Sequence, residues 1–273
     1  METAELIESL RSEGSLLADA AERAGSEAEV PTCPEWRVRD LVRHTGTVHR
    51  WATAFVAEGL DRPRRAASPP DLDGAELLEW FREGHARLVD ALLAAPDDLK
   101  CWAFLPAPSP LAFWARRQAH ETTVHRVDAE AALGGPGALA QPWDRLTPIG
   151  PAFALDGIDE LLSGFHARER SAVRSATPRT LRVRTTDAED ASEAADAKGA
   201  TGAWTVRISG DPLRADRAAD GEERAEAADC EIAGPAARVY LALWNRLPLE
   251  SLEVAGDAEV ARLWRETSAI TFG

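Results

Sequence analysis

The spacing of apolar residues changes part-way along the chain, from the period of a helix to the alternation of a β-strand. Up to about residue 133, apolar side chains recur every three or four positions, as on the buried face of a helix. In residues 181–186 and again in 204–209 they alternate with polar ones, as in a half-buried strand. One regular element cannot satisfy both periods. The sequence therefore predicts a helical part followed by a mixed part that contains a sheet.

Four segments of the helical part have the length and the end signals of helices. Thr32 and Glu35 have capping-box spacing, and Pro34 suits the first turn of the helix that follows. Amphipathic helices of similar length predict a four-helix bundle, and the long proline-rich connections leave the order of its helices open. We predict the helices at residues 3–24, from Pro34 to about 56, near 74–95, and from about 111 to the breaker Gly134-Gly135-Pro136.

Residues 134–150 are rich in glycine and proline and form the best candidate for an inter-domain linker. We accordingly predict a helical bundle over residues 1–150 and a small α+β domain over 151–273, so that the fold class is α+β. Residues 187–199, rich in alanine and acidic side chains, are expected to form an exposed excursion between two strands. The second domain's other elements are predicted as a helix near 153–168, strands near 181–186, 204–209, 229–233 and 252–254, and helices near 235–244 and 257–264.

The charge of the chain disfavours nucleic-acid binding. Its 273 residues include 46 acidic and 31 basic side chains, and the net charge of −15 repels a phosphate backbone. No apolar run approaches the length of a membrane span, and the acidic, polar start lacks the pattern of a secretory signal. Cys33, Cys101 and Cys230 are too widely separated for a zinc ribbon or a disulfide framework. We therefore expect a cytoplasmic protein with neither nucleic acid nor membrane as a partner.

Two histidines and one glutamate have the spacing expected of a metal site. Glu121 and His125 lie four residues apart in a segment without glycine or proline, so a helix projects both from one face. His44 falls in the apolar register of the second predicted helix and points into the bundle, where a neutral imidazole needs a polar partner. Together they would hold a divalent metal and leave a coordination position open. The alternatives are a solvated Glu–His pair and a core histidine bonded to another group.

Neighbouring polar side chains have less defined roles. His49 is rotated away from His44 by more than a quarter turn, so we expect it on the surface or behind the ligands and keep it as a candidate catalytic residue. His120 is expected on the helix surface or at a domain contact, and its spacing to His125 excludes the His-Glu-x-x-His peptidase motif. Asp128 either accepts the ring N–H of His125 or, more commonly for such an acid, pairs with arginine at the surface. Three arginines close to the motif either admit an anionic substrate or form helix-surface ion pairs: Arg116, Arg117 and Arg126. Three tryptophans are candidates to line a pocket: Trp36, Trp51 and Trp114.

Residues 33–44 and 114–130 form two longer motifs around the predicted ligands, and both resemble the actinobacterial mycothiol-dependent maleylpyruvate isomerase family. Segments 156–162, 241–248 and 254–257 are similar to the second domain of that family. The resemblance implies a DinB-like four-helix bundle followed by a sterol-carrier-like α+β domain. It also implies that His44, Glu121 and His125 hold a metal, usually zinc, and that an arginine of the second domain acts near it. Arg246 is the nearest candidate for that arginine.

The resemblance further implies that mycothiol, a low-molecular-weight thiol, occupies the open metal position as a thiolate. The thiolate would attack a small electrophile, either adding reversibly to isomerise a cis alkene or remaining attached in S-transfer. Two other functions stay open. One is a metal-dependent hydrolase of the same bundle group that uses water as the nucleophile. The other is a non-catalytic protein that binds an apolar small molecule while the metal only stabilises the bundle.

Overall fold

The computed structural model describes residues 1–134, 145–187, 202–218 and 227–270. The chain divides into two compact units, Met1–Thr147 and Pro148–Gly273. The first is helical and the second combines helices with a sheet, which confirms the predicted fold class. Most of the predicted linker and of the predicted excursion, residues 135–144 and 188–199, lies outside the described residues.

The first unit is a bundle of four long helices: α1 (Thr3–Ala24), α2 (Val38–Glu58), α3 (Gly74–Ala94) and α4 (Pro110–Ala132). Around the bundle the order is α1, α4, α2, α3, so that the consecutive helices α1 and α2 occupy one diagonal. The main interfaces join α1 to α4 and α2 to α3. None of the described helices is both long enough and apolar enough to cross a membrane.

Helix α2 begins at Val38, four residues after the predicted first turn at Pro34. Residues 30–36 instead form a loop, in which the Val30 amide donates to the Trp36 carbonyl at 3.0 Å. Glu35 has φ 73°, in the left-handed region that a helix cannot use. The cap is made further along, where Asp40 accepts from the Arg37 amide at 3.0 Å. The prediction of a cap at Thr32 was therefore wrong, because a competing loop satisfies those amides.

Helix α4 departs from the predicted amphipathic plan, because charged side chains lie on its buried faces. Arg126 is fully buried and donates to Glu13 of α1 and to Glu130, both at 2.7 Å. It also donates to the Thr147 carbonyl at 2.9 Å. From the sequence, Arg126 was expected either to attract a substrate or to form a surface ion pair. Neither role fits, because Arg126 is buried and its ion pair with Glu13 links α4 to α1.

The second unit contains a five-stranded mixed sheet of order β3-β2-β1-β4-β5. Strand β1 runs parallel to β4, and the other neighbours are antiparallel. Helices α6 and α7 pack on β1 and β4, and α5 packs on α6. The elements are α5 (Pro151–Asp159), continued by a π-helical turn (Glu160–Phe165), β1 (Arg179–Thr185), β2 (Ala203–Ile208), β3 (Arg214–Arg217), β4 (Cys230–Gly234), α6 (Ala236–Leu243), β5 (Glu253–Gly256) and α7 (Ala258–Thr267).

Two features of this unit differ from the predictions. The helix expected at 153–168 changes to π-helical bonding after Asp159, and the His166 amide closes it on the Leu161 carbonyl at 3.0 Å. Strand β3 was not predicted, because Arg214–Arg217 is an edge strand whose charged side chains show no apolar alternation.

His166 is a buried titratable group of the second unit, with 1% of its surface exposed. Its Nδ1 shares a hydrogen bond of 2.9 Å with the Ser171 hydroxyl, and its ring lies edge-on to Trp264. Burial, reinforced by the positive charge of Arg174, lowers the pKa of His166 from 6.5 to about 4. The folded protein therefore keeps this imidazole neutral.

Replacing Arg126 should destabilise the protein strongly. Arg126→Met is expected to lower the free energy of unfolding by about 3–5 kcal/mol, because Glu13 and Glu130 lose their buried cation. Chemical denaturation measures the loss. Arg87→Met, which breaks the exposed Arg87–Glu83 pair, is the matched control and should cost less than about 1 kcal/mol. Equal losses in the two variants would contradict this interpretation.

Acidification should destabilise the protein through His166. Between pH 6.5 and about 4 this imidazole binds a proton in the unfolded chain but not in the folded one, so stability falls as the pH falls through that window. The total loss should approach about 3 kcal/mol. His166→Asn keeps a partner for Ser171 without the titration. The difference in unfolding free energy between wild type and this variant should vary with pH, and a constant difference would refute the assignment.

Candidate metal centre

The structure brings His44, Glu121 and His125 together inside the bundle. His44 is on α2, and Glu121 and His125 lie one turn apart on the adjacent helix α4. Glu121 Oε1 is 3.4 Å from His44 Nε2 and 3.3 Å from His125 Nε2. One ligand atom from each residue lies within 4.8 Å of the other two. All three residues named from their spacing therefore point at one place.

The three side chains differ in their access to solvent. The Glu121 and His125 side chains are 6% and 9% exposed, whereas that of His44 is 27% exposed. His44 is preceded by the buried Leu41 and Val42, which hold this turn of α2 against the bundle. The site is therefore closed towards α4 and open on the side of His44.

The Glu121 carboxylate is kept ionised by its partners. Burial acts to raise its pKa, but hydrogen bonds with His125 and His44 outweigh that effect, and the pKa lies well below its usual value. Arg117, almost fully buried one turn earlier on α4, donates to Glu121 Oε2 at 3.2 Å and also lowers this pKa. The second carboxylate oxygen is thus held by Arg117, which leaves Oε1 facing the two imidazoles.

His125 is fixed from behind by a second carboxylate. Its Nδ1 shares a hydrogen bond of 2.9 Å with Asp128 Oδ2, and the Cys33 thiol donates to the same oxygen at 3.4 Å. Burial tends to lower the pKa of His125, but the bonds with Asp128 and Glu121 raise it to about 9. Asp128 is fully buried, so the surface pairing considered for it was wrong. With Nδ1 occupied, Nε2 is the nitrogen presented to the site.

Trp36 packs against both imidazoles. Its ring centroid is 5.0 Å from that of His44 and 6.2 Å from that of His125, which it stacks on at an interplanar angle of 24°. Trp51 and Trp114, the other tryptophans considered for a pocket, instead pack on each other at 5.2 Å. Of the three, Trp36 is the one that contacts the predicted ligands.

Two other histidines considered from the sequence are buried and do not belong to the trio. His120 has no exposed surface, so the expectation that it lies on the helix surface was wrong. His49 is fully buried and bonds Thr122 Oγ1 through Nε2 at 2.8 Å. Burial, with the nearby His85, lowers the pKa of His49 well below 6.5, so its ring is neutral. It lies behind the ligands and not on the surface.

Arg246 lies in the second unit, just after α6. Its amide donates to the Leu241 carbonyl at 2.7 Å, and its guanidinium donates to the Trp244 carbonyl at 2.9 Å. The role near a metal that the family resemblance gives to Arg246 stays a prediction.

Two contacts around the predicted ligands were not predicted from the sequence: that of Arg117 with Glu121 and that of Cys33 with Asp128. Arg117 was considered only for substrate attraction or surface pairing, although its position four residues before Glu121 is the spacing of a helical ion pair. Cys33 was named as one of three separated cysteines and begins the 33–44 motif, but its contact with Asp128, 95 positions away, was not predicted. Spacing along one helix could have revealed the first contact but not the second.

Comparisons with known proteins place this arrangement in a family. Residues 7–130 match the family profile described as the mycothiol maleylpyruvate isomerase N-terminal domain, and residues 152–263 match the C-terminal domain of the same family. No curated protein matches the sequence. Crystal structures of the mycothiol-dependent maleylpyruvate isomerase and of a histidine-to-alanine mutant of it are similar to this chain, each with a TM-score of 0.55, 12% identity and 93% of both chains covered. At that identity the structures show a shared fold. The two profile matches cover most of the sequence, and the chain belongs to the mycothiol maleylpyruvate isomerase family.

Proposed function

We propose that His44, Glu121 and His125 bind a divalent metal ion in a thiol-dependent enzyme. The observation that carries this proposal is the spacing of the ligand atoms. Ligands about 2.0–2.1 Å from a tetrahedral zinc ion lie about 3.3–3.4 Å from one another. The two Nε2–Oε1 distances, 3.4 and 3.3 Å, fit the edges of such a tetrahedron.

The donor set favours zinc and a catalytic type of site. Two imidazole nitrogens and a carboxylate suit zinc and other borderline divalent ions. Within the described residues the group has three members, whereas a structural zinc site usually has four protein ligands. The partial exposure of His44 supports access for a further ligand. These features favour an enzyme over a protein whose metal only stabilises the bundle.

The chain's own residues would prepare the ligands. Asp128 holds Nδ1 of His125, so that Nε2 is the nitrogen that would lose its proton and bind the metal. Arg117 holds Oε2 of Glu121, which fixes the rotation of the carboxylate and directs Oε1 to the site. Trp36 packs against both imidazole rings. A divalent cation bound there would lower the pKa of a thiol cosubstrate and so supply a nucleophilic thiolate.

Membership of the family supports mycothiol as the thiol and a small electrophile as its reaction partner. In isomerisation the sulfur would add to one carbon of an electron-poor cis alkene, the resulting single bond would rotate, and the same carbon–sulfur bond would break to release the trans alkene. In S-transfer the carbon–sulfur bond would form and remain. Both reactions share the first bond-forming step, so one site serves either. Arg246 is our candidate for a second-domain residue that acts in this step.

The metal proposal predicts that removing His44 abolishes stoichiometric zinc binding. Purified wild type should hold close to one zinc ion per chain when loaded and dialysed, and His44→Ala should hold almost none, because two ligands do not retain zinc against dialysis. Elemental analysis measures both. His166→Asn, which removes a buried histidine from the other unit, should bind zinc as wild type does. Full zinc content in His44→Ala would overturn the proposed ligand set.

The enzyme proposal predicts turnover that requires both metal and thiol. Zinc-loaded protein should bind mycothiol with Cys33, Cys101 and Cys230 left unmodified. With mycothiol present, it should either isomerise an activated cis alkene such as maleylpyruvate or attach that alkene to the thiol. Chelation should abolish the rate. If the thiol neither binds nor supports turnover while water alone gives product, the metal-dependent hydrolase replaces this proposal.

A further inference from the structure

The hydrogen bond between His49 and Thr122 connects the two helices that carry the predicted metal ligands. His49 Nε2 on α2 lies 2.8 Å from Thr122 Oγ1 on α4, and both residues have no exposed surface. Thr122 is the immediate neighbour of Glu121. His49 lies just over one turn beyond His44. The bond therefore joins the ligand-bearing helices close to the ligands, without touching them.

Thr122 differs from the other threonines of these helices in the direction of its bond. The hydroxyls of the others donate to the carbonyl four residues earlier in their own helix, as is usual for threonine inside a helix. The Thr122 hydroxyl pairs instead with a side chain of another helix. The threonines bonded within their own helix are Thr45, Thr47 and Thr53 of α2 and Thr123 of α4.

The His49 ring is itself held in place by α3. Its centroid lies 5.4 Å from that of Phe81 and 5.3 Å from that of His85. A ring packed on one side and hydrogen-bonded on the other has little freedom to move. A shift of α2 or α3 would therefore move the His49 ring, and His49 would act on α4 through its bond to Thr122.

The interface between α2 and α4 is one of the smaller helix interfaces of the bundle, so a hydrogen bond that fixes the two helices relative to each other matters there. The main interfaces of the bundle join α2 to α3 and α4 to α1, so the two ligand-bearing helices are each packed chiefly against another helix. Metal–ligand distances tolerate only about 0.2 Å, whereas sliding a helix by one residue moves it about 1.5 Å. A small shift of α2 along α4 would separate His44 from Glu121 and His125.

We propose that His49 is a positioning residue, which sets the register of α2 against α4 through Thr122 and so preorganises the metal ligands. This inference rests on the proposed function, because it concerns the geometry of the zinc site. It assigns His49 a role away from the reacting atoms. The amide nitrogen or oxygen of glutamine reaches about as far as Nε2 of histidine, whereas asparagine reaches only as far as Nδ1.

The experiment measures the zinc affinity of the apoprotein by competition with a chelator at fixed pH. His49→Asn and Thr122→Val should each raise the Kd for zinc about tenfold, as loss of an outer contact of a metal site does. His49→Gln should stay within about threefold of wild type, because it keeps the bond to Thr122. Thr123→Val, the same change at the next buried position but without a cross-helix bond, should also stay within about threefold. The double variant with His49→Asn and Thr122→Val should have a Kd for zinc no higher than that of the single variant that binds zinc less tightly, because both changes break the same hydrogen bond.

Several results would overturn the inference. One is unchanged affinity in His49→Asn and Thr122→Val, and another is equal weakening by asparagine and glutamine at position 49. Should Thr122→Val fail to fold, the asparagine and glutamine pair decides the matter alone. Wild-type protein that takes up no zinc would overturn the proposed function, and this inference with it, whereas zinc binding that ignores His49 removes the inference alone.

Discussion

A carboxylate buried inside a helical bundle must be compensated by positive charge or by hydrogen bonds, and the arrangement of α4 follows from that requirement. Leaving Glu121 uncompensated would cost several kcal/mol. The compensation comes from the same helix, where Arg117, Glu121, His125 and Asp128 alternate in charge at helical spacing. Each member satisfies its neighbour. A helix with so many buried polar groups is stable because those groups are partners of one another.

This alternation makes the site more than a chance meeting of ligands. Arg117 and Asp128 occupy the outward atoms of Glu121 and His125, so the atoms left over converge on a single point. His44 then completes the set from the adjacent helix. A divalent cation at that point would bind one carboxylate oxygen and two ring nitrogens, and would displace the proton that His125 holds at neutral pH.

The parts of this structure that the sequence predicted are those in which local spacing has a direct meaning. The periodic spacing of apolar residues predicted α1 and α3. The spacing of Glu121 and His125, together with the apolar register of His44, predicted the three candidate metal ligands. Helix α4 lies close to its predicted bounds, but an apolar period could not predict that its polar side chains are buried. The contact of Cys33 with Asp128 and that of Arg126 with Glu13 join residues 95 and 113 positions apart, which no local pattern encodes. The start of α2 was missed because a loop competed for the same amides.

The order of the helices around the bundle bears on how the chain is made. Because α1 packs chiefly on α4, the apolar face of the first helix has its partner about one hundred residues later in the sequence. During synthesis α1, α2 and α3 leave the ribosome before α4 does, and α1 must remain without its main interface until then. Contacts between distant segments slow folding, and a late partner leaves apolar surface open to chaperones. Helix α4, which carries two of the three predicted ligands, is thus also the last helix of the bundle to be made, so the three predicted ligands cannot come together before the helical unit is complete.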